Sequence, residues 1–395
     1  MPTLSYTTAG ESHGPGLLAW IDGLPQGLEL DLEFIDNELL RRQGGYGRGG
    51  RQKIETDRAE IITGFRRGHA TGSPLVVRVA NRDDRLDDLE RTPPVHRPRP
   101  GHADLAGSVK WLTTDCRETL ERASARETAA RVAAGAIARC FLREFGIEVF
   151  GFVRGGMDAM SEVEPDENNW RDLLALRDAS DVYVPDDDVS ERLRAAIRQA
   201  KIDKDTVGGV VEAHVFGCPI GLGSCMHWDQ KLDSRIAGAV MGIQAFKAVE
   251  IGMGRDCAHL NGSQVHDPIA YDLSLKESAS LGFVRSSNNA GGLEGGMTNG
   301  MPVVVKGTMK PISTLLRGLP SVDLNTKLSE DSQYERSDIS AISAASVVME
   351  NVVAFEVATA FRDKFSGDSM TEVRAQFDAF MNMARELPLT DPSAG

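Results

Sequence analysis

The chain has 395 residues, 41% of them hydrophobic and 26% charged, with a formal net charge of −14 and a pI near 5.1. That acidic balance excludes general attraction to nucleic acid or to an anionic membrane, so an anionic ligand must be held by local arginine clusters working against the overall field. The five cysteines, Cys116, Cys140, Cys218, Cys225 and Cys257, include no C-x-x-C pair; their odd count argues against a disulfide framework and fits a reducing, cytoplasmic setting.

The N-terminus lacks a basic region followed by an apolar run, and no apolar stretch reaches about 18 residues, so neither a signal peptide nor a membrane span is expected. A polar turn over 8–16, TAGESHGPG, leads into an apolar strand at 17–21. Residues 31–42 read as a helix with Leu32, Ile35, Leu39 and Leu40 on one stripe. The helix runs into a glycine-rich loop over 41–51 that carries four arginines, Arg41, Arg42, Arg48 and Arg51. Glycine lets such a loop wrap a ligand, and guanidinium forks match phosphate and carboxylate oxygens. Segments 60–64 and 74–80 read as antiparallel strands around a turn, and 81–91 as a charged, solvated loop. Between 92 and 104 prolines alternate with arginines, a stiff strap that would hold Arg97, Arg99 and His102 in place.

Residues 122–139 read as a slim apolar helix opened by a capping box, Ser124 with Glu127. Its positive end, with Arg122 and Arg126, has the make-up of an anion site; the same pattern also suits a core helix with two surface arginines. Next come a strand at 146–153, a polar irregular insertion at 155–185, an amphipathic helix at 190–201 and a strand at 210–216. A second small-residue helix is expected over 232–250, a second glycine-rich loop over 283–300 and a strand at 303–305. A third slim helix is expected over 339–361, an amphipathic helix over 370–385 and a frayed tail over 388–395.

Histidine exchanges its proton most readily near neutral pH. His13 and His102 sit in turns beside hydroxyl or arginine residues, whereas His69, His96, His214, His227, His259 and His266 read as strand or surface positions. No histidine pair has metal-ligand spacing, so no metal site is expected. The arginine groups are either solvated charge or a cradle for a polyanionic small molecule, and their placement in turns and beside a cap favours the cradle. The GGLEGG run at 291–296 is neither a dinucleotide fingerprint nor a P-loop, and Gly295 suits a tight turn equally well. The GYGRGGR segment resembles an RNA-binding tract, but it occurs as one copy in an acidic chain, which disfavours that reading.

Taken together, GESHG at 10–14, GYGRGGR at 45–51, RPRPGHAD at 97–104, the 122–138 segment, HWD at 227–229, 288–300, 310–314 and RSD at 336–338 resemble the chorismate synthase family in order, from about residue 4 to about residue 365. The resemblance implies a single domain over 1–387 with an α/β (α+β) fold, a β-α-β sandwich of antiparallel sheets around central small-residue helices, assembled as a cytoplasmic homotetramer. It implies the last shared step toward the aromatic amino acids: conversion of 5-enolpyruvylshikimate 3-phosphate to chorismate and phosphate, an anti 1,4-elimination that needs reduced FMN. By the same resemblance, Ser12, Arg42, Arg48, Arg51, Arg99 and Arg126 hold the substrate anions. His13 protonates the departing phosphate, His102 stands near flavin N1, and Asp338, beside Arg336, is a base that works through flavin N5. Arg122, Ala123 and Ser124, Gln244 and Ala245, Gly295, Lys310, Pro311, Ile312, Ser313, Thr314 and Arg336 are implied for FMN. Arg42 and Arg48 also match positions tied to NADPH as a possible reductant; the alternative source of reduced flavin is an external flavin reductase. Two other classes fit the same pocket: a non-catalytic flavin or polyanion binder, and a flavin oxidoreductase that consumes NADPH.

Overall fold

In the computed structural model, residues 4–49, 55–332 and 337–389 are described. Two antiparallel sheets enclose a layer of helices. The first sheet has four strands in the order Ser5–Ala9, Gly16–Asp22, Leu75–Ala80, Glu60–Thr63. Alternation makes it one-sided: Leu17, Ala19 and Ile21 are buried with Leu75, Val77 and Val79, while Leu18 and Trp20 face out. The second sheet has five strands in the order Phe246–Ile251, Val303–Met309, Gly209–Phe216, Glu148–Gly156, Ala159–Met160.

The helices between the sheets are slim because bulk there would push the layers apart. The Thr128–Arg143 helix packs on the first sheet, and only Arg131 and Arg143 escape burial along it. The Ile342–Lys364 helix packs on both the Thr128–Arg143 helix and the second sheet. Among the described residues this one helix is long and apolar enough to cross a membrane, which the apolar-run criterion missed; it is the centre of the core, with 94% of its most apolar window buried. Where the two helices cross, a Cβ on Gly135 would stand 2.3 Å from the Asn351 carbonyl oxygen. Gly135→Ala is therefore expected to destabilise the protein by about 1–3 kcal/mol through forced separation of the helices. Urea denaturation reads this directly, and an unchanged midpoint would mean that the crossing is looser than it looks.

A buried charge network locks the Leu32–Gln43 helix to this layer. Glu38 takes Arg41 at 2.6 Å and Arg139 at 2.8 Å, and Glu350 takes Arg41 at 2.9 Å and Arg139 at 3.2 Å. Asp31 caps the helix by accepting from the Phe34 N–H at 2.9 Å. Its last turn, and with it Arg42, is thus fixed against the core.

Several sequence expectations are corrected. The 122–139 segment is not one capped helix: Arg117–Arg122 is a separate short helix, Ser124 caps a single 3₁₀ turn, Ala125–Glu127, and the long helix begins at Thr128. Glu127 does not close a capping box, because Thr8, Arg131 and Gln244 all engage its carboxylate. The 232–250 helix ends at Met241; Ala245 has φ +70° and turns the chain into the edge strand Phe246–Ile251. The 155–185 insertion contains the Trp170–Ala179 helix, and Trp170 stacks on Phe216 to cover the outer face of the second sheet. The 283–300 loop holds a strand, Phe283–Arg285, and a hairpin, Leu293–Glu294 with Met297–Thr298. From residue 390 onward the expected frayed tail lies outside the described residues.

Candidate active site

His13 rides on the loop between the first two strands. Gly10 opens that loop at φ +102°, where a Cβ would stand 2.3 Å from the Gly16 carbonyl oxygen. The loop is gripped by Glu121: Ser12 N–H donates to the Glu121 carbonyl at 3.1 Å and His13 N–H to its carboxylate at 2.8 Å. His13 Nδ1 lies 2.9 and 3.0 Å from the two carboxylate oxygens. His13 Nε2 faces Arg85 at 3.2 Å and Asp83 at 3.7 Å. The 81–91 segment is therefore no mere solvated loop. Arg85 and Leu86 N–H groups donate to the His13 carbonyl, and buried Asn81 donates to the carbonyls of Glu11 and Gly14.

Asn81 also ties this loop to the arginines, since its side-chain oxygen accepts from Arg126 Nε at 2.9 Å. Arg126 and Arg42 both donate to one oxygen of Asp57, at 2.7 and 2.9 Å. Burial pushes Arg42 down to about 10 despite the opposing charge of Asp57, helped by the like charges of Arg126 and Arg48. Arg42 thus stays charged at neutral pH while poorly hydrated, a state suited to gripping an anion. Arg48 pairs with Asp338 at 3.0 Å, and the other Asp338 oxygen accepts from Gly49 N–H at 2.6 Å, so the glycine-rich loop docks on the segment leading into the long core helix. Ser124 Oγ donates to Ser12 Oγ at 3.2 Å. The fold therefore gathers Ser12, His13, Arg42, Arg126 and Ser124 around one set of contacts, with Arg48 and Asp338 close by. Arg51 and Arg336 lie outside the described residues.

A second cluster forms on the proline strap. Arg99 donates to Asp104 through Nε at 2.8 Å and to Thr314 Oγ1 at 3.1 Å. His102 Nδ1 contacts the same Asp104 carboxylate and lies 3.0 Å from an Arg99 terminal nitrogen. Lys310 Nζ donates to the Gly101 carbonyl, and Ser313 packs beside Gly101. Thr206 Oγ1 donates to the Ile312 carbonyl at 2.7 Å, while Pro311 backs onto Gly208. Lys310 N–H donates to the Ala245 carbonyl at 2.9 Å, Gln244 Nε2 donates to Glu127 at 3.0 Å, and Glu127 in turn holds Thr8, to which Arg122 donates at 3.0 Å. Ala123 ends the short helix that presents Arg122 and Ser124. One contiguous chain of contacts thus runs from His102 to Ser124. Gly295 lies at the tip of a hairpin, where an added Cβ would meet only Cys225, at 4.0 Å.

Of the side chains that fix the two clusters, Asp57, Asn81, Asp104 and Glu121 were not singled out from the sequence, and Glu127 was read only as a capping residue. Asp104 closes the RPGHAD motif, two residues beyond His102, which is a usable signal. Glu121 is separated from His13 by 108 positions, so only folding reveals the pair. Two clefts, of about 560 and 290 Å³, are lined by residues such as Arg192, Gln199 and Thr206 and by Met253, Cys257 and His266. No predicted site residue lines either cleft. Buried charge converges instead around Asp57 and Asp104, and that convergence marks the candidate site. Among the described residues no group of His, Cys, Asp and Glu is arranged to hold a metal ion.

Burial raises the carboxyls of Glu38, Asp57 and Glu121, but neighbouring cationic and hydrogen-bond donors outweigh it, holding all three below the usual range and Glu38 at about 2. Groups lowered on folding stabilise the protein above their unfolded pKa and lose that contribution as pH falls through the folded value. Stability is therefore expected to drop steadily from about pH 5 to about pH 2. Urea midpoints measured across that range check this, and a flat profile would contradict it.

A family profile described as chorismate synthase matches residues 4–361. The chain is 48% identical over 396 residues to the chorismate synthase of Desulforamulus reducens, covering 97% of this chain and 100% of that protein. It is 50% identical over 395 residues to the chorismate synthase of Geobacter sulfurreducens, covering 97% and 99%. Among solved structures, one titled "Crystal Structure of Chorismate Synthase" superposes with a TM-score of 0.78 at 38% identity, covering 97% of this chain and 98% of that one.

Proposed function

The chain belongs to the chorismate synthase family, and from that premise we propose that it converts 5-enolpyruvylshikimate 3-phosphate to chorismate and phosphate by an anti 1,4-elimination. In that step the C–O bond to phosphate breaks and a ring hydrogen leaves from the opposite face. The observation that supports this reading most is the meeting of Arg42 and Arg126 on one Asp57 oxygen beside the Ser12–His13 loop. Two buried guanidinium groups gathered in an acidic protein suit a small ligand that carries a phosphate and carboxylates.

The residues implied for reduced FMN suit that group. Gln244 Oε1 is buried with no hydrogen-bond partner among the described residues, an acceptor left for a ligand N–H, while Lys310, Arg122 and the Ser124 hydroxyl supply donors for a phosphate and ring oxygens. Gln244, Ala245, Arg122–Ser124 and 310–314 would hold it, with Arg336 and Gly295 kept as candidates. When bound, reduced FMN supplies electron density to the weakening C–O bond.

The protein's own residues do the rest. Arg42, Arg48, Arg126 and Arg51 orient the anions, and Arg99 joins them from the strap. His13 gives a proton to the departing phosphate, and phosphate leaves more readily as its charge falls. His102, held by Asp104 and Arg99, would keep a proton beside the flavin ring. Asp338, steadied by Arg48 and Gly49, is the proton acceptor. Burial of Arg42, Arg126 and Asp57 keeps water away from the anions. We take the working form to be a cytoplasmic homotetramer, with reduced flavin coming from the enzyme's own NADPH activity at Arg42 and Arg48 or from an external flavin reductase.

The test is anaerobic turnover of the phosphorylated substrate with chemically reduced FMN. Chorismate and phosphate should appear in equal amounts with no net consumption of reductant. Binding without phosphate release would mark a non-catalytic binder, and NADPH consumed in step with product would mark an oxidoreductase.

A further inference from the structure

The geometry points to Glu121 as the positioning residue that fixes the tautomer and the orientation of His13; this rests on reading His13 as the proton donor. His13 lies on a loop between strands, so the loop alone does not orient its ring. Glu121 grips it three ways: the carboxylate takes the backbone N–H at 2.8 Å and faces Nδ1 with both oxygens, at 2.9 and 3.0 Å, while its own carbonyl takes Ser12 N–H at 3.1 Å. A carboxylate only accepts, so Nδ1 carries the hydrogen and Nε2 is the nitrogen left to exchange a proton.

The groups facing the ring decide what Nε2 can do. Arg85 reaches it at 3.2 Å and suits an unprotonated nitrogen; Asp83 at 3.7 Å, itself paired with Arg85 and Arg91, suits a protonated one. Glu11 lies beneath the neighbouring Gly14. Arg117 pairs with Glu121 from behind at 3.3 Å. Glu121 is fully buried; burial raises its carboxyl, but His13 and Arg117 hold it below the usual range, so its charge is present at neutral pH.

The arrangement recurs nearby. His102 Nδ1 meets the Asp104 carboxylate, and Asp104 opens the first helix of a hairpin whose second helix, Arg117–Arg122, carries Glu121. Ser108 bonds Cys116 across the hairpin at 3.2 Å, and Gly107 packs against Thr119. One rigid element thus presents a carboxylate to each histidine.

The experiment compares Glu121→Gln and Glu121→Asp with the wild type in the anaerobic assay. Glutamine can turn its amide N–H toward Nδ1 and no longer requires the hydrogen there, so Glu121→Gln should lower kcat about tenfold or more with KM nearly unchanged. Glu121→Asp keeps an acceptor-only partner and should recover part of that loss. A folded Glu121→Gln variant with wild-type kcat, or a Glu121→Asp variant no better than Glu121→Gln, overturns the proposal. ¹⁵N NMR of the unliganded wild type gives an independent reading: neutral His13 should be protonated at Nδ1, and protonation at Nε2 overturns the proposal. Were the wild type to form no chorismate, the functional reading would fall while the NMR result still judged the Glu121–His13 pair.

Discussion

His13→Ala is expected to lower kcat by about 10²–10⁴-fold, the usual worth of a general acid, while leaving KM for the phosphorylated substrate nearly unchanged. The split follows from geometry. The ring is held by Glu121 and faces Arg85 and Asp83, whereas the anion-binding guanidinium groups are held separately by Asp57 and Asn81. Losing the imidazole therefore removes the proposed proton donor while Arg42 and Arg126 stay where Asp57 and Asn81 hold them. Anaerobic steady-state kinetics with chemically reduced FMN measure this. A kcat within a factor of about three of wild type would remove the acid role. His102→Ala should cost at least about tenfold by the same assay, since Asp104 and Arg99 hold that ring in a comparable way.

The second large effect concerns stability. Asp57→Ala is expected to destabilise the unliganded protein by about 3–5 kcal/mol, the cost of leaving buried charge without its partner. The Asp57 side chain is fully buried, and one of its oxygens accepts from both Arg42 and Arg126. Its loss leaves two like charges side by side in a site with little water, with Arg48 adding to the repulsion. Chemical denaturation without ligand measures the loss, and wild-type stability would contradict it. An added phosphate-bearing substrate should recover more stability in the variant than in the wild type, because the ligand's anion replaces the missing carboxylate.

Much of the frame is legible in the residues. The apolar segments at 17–21 and 74–80 match two neighbouring strands whose inner faces are buried, and the Leu32, Ile35, Leu39 stripe marks a helix that begins one residue later than read, with Asp31 as its cap. The small residues of 339–361 likewise mark the central helix. What the residues do not disclose is long-range or ambiguous in chemistry. Apolar small residues over 232–250 suit a helix or a strand equally, and an alanine at φ +70° leaves no trace in sequence. Trp170 makes sense only against Phe150 and Phe216, so 155–185 reads as irregular. The charges of 81–91 read as solvent-facing, yet Asn81 and Arg85 turn inward because the His13 loop offers them carbonyls and a ring nitrogen. The arginines were visible, whereas the carboxylates that organise them were not, since each partner comes from a different element. Glu121 and His13 meet by the same rule.

The central claim is that scattered guanidinium groups converge on one pocket where His13 meets a phosphate. A crystal structure of the protein with the phosphorylated substrate and FMN tests it most directly. His13 Nε2 is expected within about 3.2 Å of a phosphate oxygen, with Arg42, Arg48 and Arg126 on the ligand's anionic groups. A phosphorylated ring seated instead in the cleft beside Arg192 and Thr206, with His13 and Arg126 untouched, would contradict it.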